Sequence, residues 1–232
     1  MVTVKHNFEI TNKKPDLLLV KIFISSIMVD FTFPSEPSLS RSLSKLAKSF
    51  QSAFFGIVYT LQTQRNMKIH FLCALSVLIF AMLVPFDFIT RIALLFCIAQ
   101  VFSAEILNTA IEAMIDLFIK EIHPLAKIAK DAAAGAVLIC AITSALIFAL
   151  ILYTDINTIL AAKKNLLSAL WFFIPLVILQ VGTLFFHLPK SYNLFRAAGS
   201  MLLLFSLLPK STDLVFFVLA FILISLSEYA SL

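Results

Sequence analysis

Long apolar runs separated by short polar breaks organise this chain, and their spacing predicts helices from one end to the other. Residues 1–16 are polar. A short apolar patch over 17–33 is broken by Lys21 and interrupted again at Asp30. It is too short and too charged to span a bilayer, so it reads as an interfacial segment; it also lacks the small-residue cleavage site of a signal peptide. Pro34 to Ser44, rich in serine and proline, reads as a linker. From Arg41 to Leu61, apolar residues recur at Leu43, Leu46, Ala47, Phe50, Phe54, Ile57, Val58 and Leu61, with Lys45, Lys48 and Gln51 off that stripe. A basic amphipathic helix of this kind lies on a membrane surface.

A polar lead-in, Gln62 to His70, precedes a first span that is uncharged from Phe71 to Phe86. Asp87 to Arg91 reads as a tight turn, and the second span runs from Ile92 to about Ile119. Lys120 to Asp131 reads as a polar loop in which Pro124 suits the first turn of the next helix. The third span, Ala132 to Tyr153, is uncharged, and its Ala-Ala-Ala-Gly-Ala start predicts close approach by a neighbouring helix. Beyond 155–164 come three apolar runs, Asn165 to Pro189, Ala197 to Pro209 and Leu214 to Ser227. The first is long enough to cross; the other two are short and suit tilted spans or a re-entrant pair. None carries an isolated internal charge or a paired polar face, so no chemistry is expected there. The expected fold class is an all-α polytopic membrane protein. It comprises an extension over 1–40, a surface helix plus three spans over 41–154, and two to three further membrane helices over 155–232.

Composition agrees. Of 232 residues 61% are hydrophobic and 13% charged, with a mean hydropathy of +1.00, a balance that excludes a soluble domain. The alternating strands of a barrel are absent from the pattern, leaving a helical bundle. The net charge of +5 suits loops facing an anionic leaflet. Without a basic-aromatic groove it does not imply nucleic acid as a partner. Cys73, Cys97 and Cys140 sit in apolar runs at spacings that make neither a disulfide framework nor a zinc site. Arg41, Lys45, Lys48, Arg65, Lys68, Lys120, Lys127 and Lys130 fall on one side of three alternating spans, while Arg91, Lys163 and Lys164 fall on the other. The first side is expected to be cytoplasmic, in a cytoplasmic (inner) membrane.

The chemistry concentrates between residues 92 and 131. At about 100° per residue, Glu105, Asn108, Thr109, Glu112 and Asp116 share an arc of roughly 100° on one helix face, with Ile106, Leu107, Ala110, Ile111, Met114 and Ile115 covering the remainder. Charges in a bilayer face a protein interior or a wet cavity. Glu105 and Glu112 stand about 10 Å apart along the axis, seven residues at 1.5 Å each. One carboxylate can therefore hold a divalent cation near the headgroups while the deeper one meets a lipid hydroxyl, the division phosphoryl transfer needs. No Walker loop or GxGxxG is present, so a kinase here is not of the soluble kinds. Spacing alone leaves two other readings open: hydrogen-bonded interhelical glue, and a small ion or proton transporter using the two carboxylates as a relay.

Three stretches carry a resemblance: Asn66-Met-Lys-Ile-His70; Glu105-Ile-Leu-Asn-Thr-Ala-Ile-Glu112 with Asp116; and His123-Pro-Leu-Ala-Lys-Ile-Ala-Lys-Asp-Ala-Ala-Ala-Gly-Ala-Val-Leu138. From about Lys45 to Tyr153 the chain resembles the small integral-membrane diacylglycerol kinase/undecaprenol kinase family. The resemblance implies a homotrimer of three-span protomers with composite active sites, ATP with Mg²⁺ as donor, and a membrane lipid alcohol as acceptor. Carried over, Glu105 matches the general base, Asn108 the polar residue beside it, and Glu112 a metal-coordinating carboxylate. Lys130 and Asp131 match the pair at the nucleotide phosphates, Glu121 and His123 the loop that contacts the nucleotide, and Lys45 a basic residue of the surface helix near it. Gln64 stands where the family has a second metal carboxylate; an amide oxygen can ligate Mg²⁺ but brings no charge. The Asn-Thr-Ala and Gly-Ala-Val wording leans toward the undecaprenol branch. Residues 155–232 lie outside the resemblance and lack the Lys/Arg-Arg-Pro and Ser-Gly-His signatures of a fused lipid phosphatase, so they read as a packing or partner-binding extension or a decayed domain.

Overall fold

A computed structural model describes residues 37–186 and 192–231, so the expected interfacial segment over 17–33 lies outside the described residues. The chain divides into two compact units, 1–48 and 49–232. Every described element is helical: α1 (Pro37–Thr63), α2 (Arg65–Leu83), α3 (Phe88–Phe118), α4 (Pro124–Thr154), α5 (Ile156–Ala161), α6 (Lys163–Phe185), α7 (Asn193–Leu207), a 3₁₀ turn over Leu208–Lys210 and α8 (Leu214–Ala230). Four of these, α2, α3, α4 and α6, are long and apolar enough to cross a membrane. The all-α polytopic architecture is as expected. Four described helices follow the core, the short α5 and then α6 to α8; α7 with 15 residues and α8 with 17 reach only about 22–26 Å, short of a full hydrocarbon core of about 30 Å.

Several expected boundaries move, each for a local reason. The linker reading over Pro34 to Ser44 is corrected where it is described: α1 already starts at Pro37, a residue suited to a first helical turn. Asp87 to Arg91 is not a turn. The break is Val84 to Asp87, and the Asp87 carboxylate accepts from the Thr90 amide at 2.8 Å to cap α3. The loop expected from Lys120 to Asp131 is shorter, because Pro124 begins α4 and the His123 ring nitrogen Nδ1 accepts from the Leu125 amide at 3.2 Å. Lys130 and Asp131 are therefore helical. Between Asp155 and Lys163 the expected break holds the single turn and a half of α5.

In the 49–232 unit, α2 is the central element, packed against α3, α6 and α8. Its buried Leu75, Leu78, Ile79 and Met82 share one core with Leu94 of α3, Leu176 of α6, Leu204 of α7 and Phe216 and Ile224 of α8. A smaller core of Leu61, Met67, Phe71 and Leu184 seals the other end, where Phe71 stacks on Phe102. The helices after residue 155 are thus built into the same bundle. The Thr212 amide and hydroxyl both bond the Met82 carbonyl, at 2.7 and 3.0 Å, and Arg91 pairs with Asp213, the α8 cap. At the opposite end the Gln62 amide donates to the Ala230 carbonyl at 2.7 Å. On α1, Val58 and Leu61 are buried while Leu46 and Phe50 are exposed, the open apolar side expected of a surface helix.

The three apolar runs after residue 164 carry no charge within them, but a buried polar network forms where their helices meet. Gln180, Thr183, Arg196, Ser200, Ser227 and Glu228 are all buried and form one network. Glu228 Oε1 accepts from Ser200 at 3.0 Å and from Gln180 and Thr183 at 3.4 Å. Arg196 lies 3.7 Å from the other carboxylate oxygen and donates to Ser231 at 2.6 Å. Each helix supplies two of these side chains, and Arg196 and Glu228 flank the apolar runs, so no single run shows a charged face. Among the described residues a Cβ on Gly135 would meet nothing within 4 Å, although α3 packs along α4 and Asp116 pairs with Lys130 one turn earlier.

Candidate active site

The polar face of α3 forms as its spacing predicts. Glu105 is 1% exposed, and Asn108 and Thr109 are buried with it, whereas Glu112 is partly buried and Asp116 exposed. α2 packs against α3 from Leu94 through Phe102 to Glu105, and burial falls beyond that point. The Thr109 hydroxyl turns back to the Glu105 carbonyl at 2.9 Å, and the Asn108 amide donates to Glu112 Oε1 at 2.9 Å. Against Glu105 stands His70 of α2, its Nε2 at 3.4 Å from Oε1. Motif reading gave His70 no role. Its position in Asn66-Met-Lys-Ile-His70, one and a half turns into a helix that packs on α3, was the available signal.

Two acceptor atoms on this face have no hydrogen-bond donor, Glu105 Oε1 and Asn108 Oδ1. A buried acceptor left unpaired costs about 1–3 kcal/mol, and such atoms in a native fold mark a place for a ligand donor or cation. Asn108 Oδ1 sits beside the Glu112 carboxylate its own amide bonds. One carboxylate flanked by a neutral oxygen is the sparse protein ligation Mg²⁺ uses when substrate phosphates and water complete its shell. Among the described residues no group of three or more His, Cys, Asp or Glu side chains forms a metal cage.

The remaining candidates lie on separate elements. Gln64 is the extended, half-buried residue between α1 and α2, and its side chain does not cap α2. Lys130 pairs with Asp116 at 2.5 Å across the α3–α4 hairpin, while the adjacent Asp131 is exposed. Glu121 and His123 are exposed in the loop that joins those helices, His123 serving as the cap of α4. Lys45 is exposed on α1 in the 1–48 unit. No hydrogen bond or ion pair among the described residues joins Gln64, Glu121, His123 or Asp131 to Glu105, Asn108 or Glu112. The structure thus brings together Glu105, Asn108 and Glu112, adds His70, and links Lys130 to the same helix through Asp116.

The profile of prokaryotic diacylglycerol kinase matches residues 51–152, the segment holding α2, α3, α4 and every residue of this face. Undecaprenol kinase of Bacillus subtilis (strain 168) is 46% identical over 109 residues, 47% of this chain and 89% of that protein. Diacylglycerol kinase of Synechocystis sp. is 41% identical over 103 residues, 44% of this chain and 59% of that protein. Diacylglycerol kinase of Escherichia coli (strain K12) is 40% identical over 68 residues, 29% of this chain and 56% of that protein. No solved structure matches the chain. A helical membrane bundle carrying a carboxylate face in this matched segment is an integral membrane enzyme of the lipid kinase class. The chain belongs to the prokaryotic diacylglycerol kinase family.

Proposed function

We propose that the protein transfers the γ-phosphoryl group of ATP to the hydroxyl of undecaprenol, at the cytoplasmic face of the cytoplasmic membrane. The observation that carries this reading is Glu105, buried on a spanning helix with an unpaired carboxylate oxygen, one turn from an unpaired Asn108 oxygen. Glu105 Oε1 lacks a donor, and a lipid hydroxyl is a donor of the right kind at that depth. As general base Glu105 removes the hydroxyl proton, Asn108 orients the attacking oxygen, and the oxygen–phosphorus bond forms as the bond to ADP breaks. Glu112, with Gln64 as a neutral second ligand, would hold Mg²⁺, which when bound neutralises phosphate charge. Lys130 can turn from Asp116 to the nucleotide phosphates, with Asp131, Glu121, His123 and Lys45 around the nucleotide.

The choice of undecaprenol is supported by the 46% identity to an undecaprenol kinase over 89% of its length. A homotrimer is supported by α4, whose buried residues in the protomer are Val137 and Ile151 alone and whose apolar surface is left for lipid or a second copy. The test is radiolabelled ATP with purified protein in mixed micelles containing undecaprenol or diacylglycerol. Label on undecaprenol in preference to diacylglycerol is expected; label on neither lipid overturns the reading.

A further inference from the structure

Transferring a phosphoryl group to an alcohol releases one proton, and a base that is 1% exposed cannot hand it directly to water. Among the described residues, the titratable side chain in contact with Glu105 is His70, with Nε2 at 3.4 Å from Oε1. The two side chains differ in access, His70 being 23% exposed at the side chain and Glu105 buried. His70 is the sixth residue of α2, so it lies only about 8 Å along the axis from the Arg65 end of the helix. A fixed structural ion pair would be expected to close into a hydrogen bond. Here Oε1 remains without one, which leaves the carboxylate oxygen open to a substrate donor while the imidazole stands alongside. Catalytic contacts of this kind tighten when substrate is bound.

From these observations we propose that His70 is the proton-relay partner of Glu105, a positioning residue that empties the base after each turnover; the proposal rests on Glu105 being the base. The lipid O–H bond breaks and its proton moves to the Glu105 carboxylate as phosphorus is attacked. The Glu105 carboxylic proton then passes to the unprotonated Nε2 of His70, and the imidazolium releases a proton from Nδ1 to water, so that Glu105 is again a carboxylate and His70 again neutral. Among the described residues, Glu112 lies two turns beyond Glu105 on α3, and Lys68, on the histidine's own helix, is turned over the Phe185 ring of α6 at 5.8 Å. Neither stands between His70 and Glu105.

The experiment uses the full chain in mixed micelles with ATP and undecaprenol, comparing His70→Ala, His70→Gln and Glu105→Gln. General acid–base groups contribute about 10²–10⁴-fold, and a relay acting through another group is expected to cost at least about tenfold in kcat. His70→Gln, which can hold the carboxylate but cannot carry its proton, should show that loss with KM for both substrates unchanged. Added imidazole should restore His70→Ala turnover in proportion to its concentration. A structural role would give neither signature: wild-type kcat in His70→Gln, or losses that imidazole leaves untouched, overturns the proposal. Glu105→Gln separates the two levels. Inactive Glu105→Gln alongside unimpaired His70→Gln removes the relay and keeps the base, whereas active Glu105→Gln removes the base and the relay with it.

Discussion

Removing the buried charge pair of the C-terminal helices tests whether they are integral to the bundle. Arg196 and Glu228 are 5% and 8% exposed, with 3.7 Å between the guanidinium and the carboxylate. At an effective dielectric of about 20, that separation corresponds to about 4–5 kcal/mol of Coulomb attraction, most of it offset by the cost of desolvating both ions. Removing one partner forfeits the attraction while leaving the other charge buried, which costs about 3–5 kcal/mol. Arg196→Leu should fall at the lower end, because Glu228 keeps its three hydrogen bonds from Ser200, Gln180 and Thr183. Glu228→Leu should cost more, since it leaves the Arg196 charge buried with only the neutral Ser231 hydroxyl as its side-chain partner, while Ser200, Gln180 and Thr183 keep their other acceptors. The double variant buries no charge, so its loss should be smaller than the sum of the singles by about 2 kcal/mol or more. Thermal and denaturant unfolding of purified protein in detergent measures all three, and micelle turnover at a permissive temperature shows whether the kinase core stays assembled. Single losses that add to within about 0.5 kcal/mol in the double variant would show that the two side chains are independent, and the reasoning from a buried charge pair would be refuted.

Three further outcomes follow from the site and the caps. Glu105→Gln should reduce lipid phosphorylation to background while nucleotide binding, followed by a fluorescent ATP analogue, persists, because the substitution removes a base without touching Glu112 or Lys130. Gln64→Glu should lower the Mg²⁺ concentration for half-maximal activity several-fold by adding a charged ligand to a sparse site; an unmoved titration removes Gln64 from it. Asp87→Ala should lower the unfolding temperature at neutral pH. Hydrogen bonding to Thr90 holds the Asp87 carboxyl below its ordinary value, so the stabilisation is complete above the unfolded-state pKa. It is lost as pH falls through the lower folded value, and the gap between wild type and variant should close there.

Much of this protein was legible as a pattern. A helix face repeats every 3.6 residues, so Glu105, Asn108 and Glu112 could be placed together from spacing alone, and the structure keeps Asn108 and Glu112 in contact. The three core spans were equally plain, because a backbone in lipid must satisfy its own hydrogen bonds and shows as a long apolar run. The shifted boundaries had readable causes in hindsight, Asp87 before Thr90 and His123 before Pro124, but a cap depends on one side-chain geometry and leaves no periodic trace.

What the one-dimensional order determined is therefore whatever lies on one helix: the fold class, the spans, the acidic face and the family. What only the tertiary structure decided is whatever needs two or three helices at once. His70 meets Glu105 across thirty-five residues of chain, and Lys130 chooses Asp116 over its neighbour Asp131. The polar network of α6, α7 and α8 takes two residues from each helix. Its members are unremarked in their own helices because a lone polar group near a span end can reach water. Packing closes that route and leaves the groups only one another as partners.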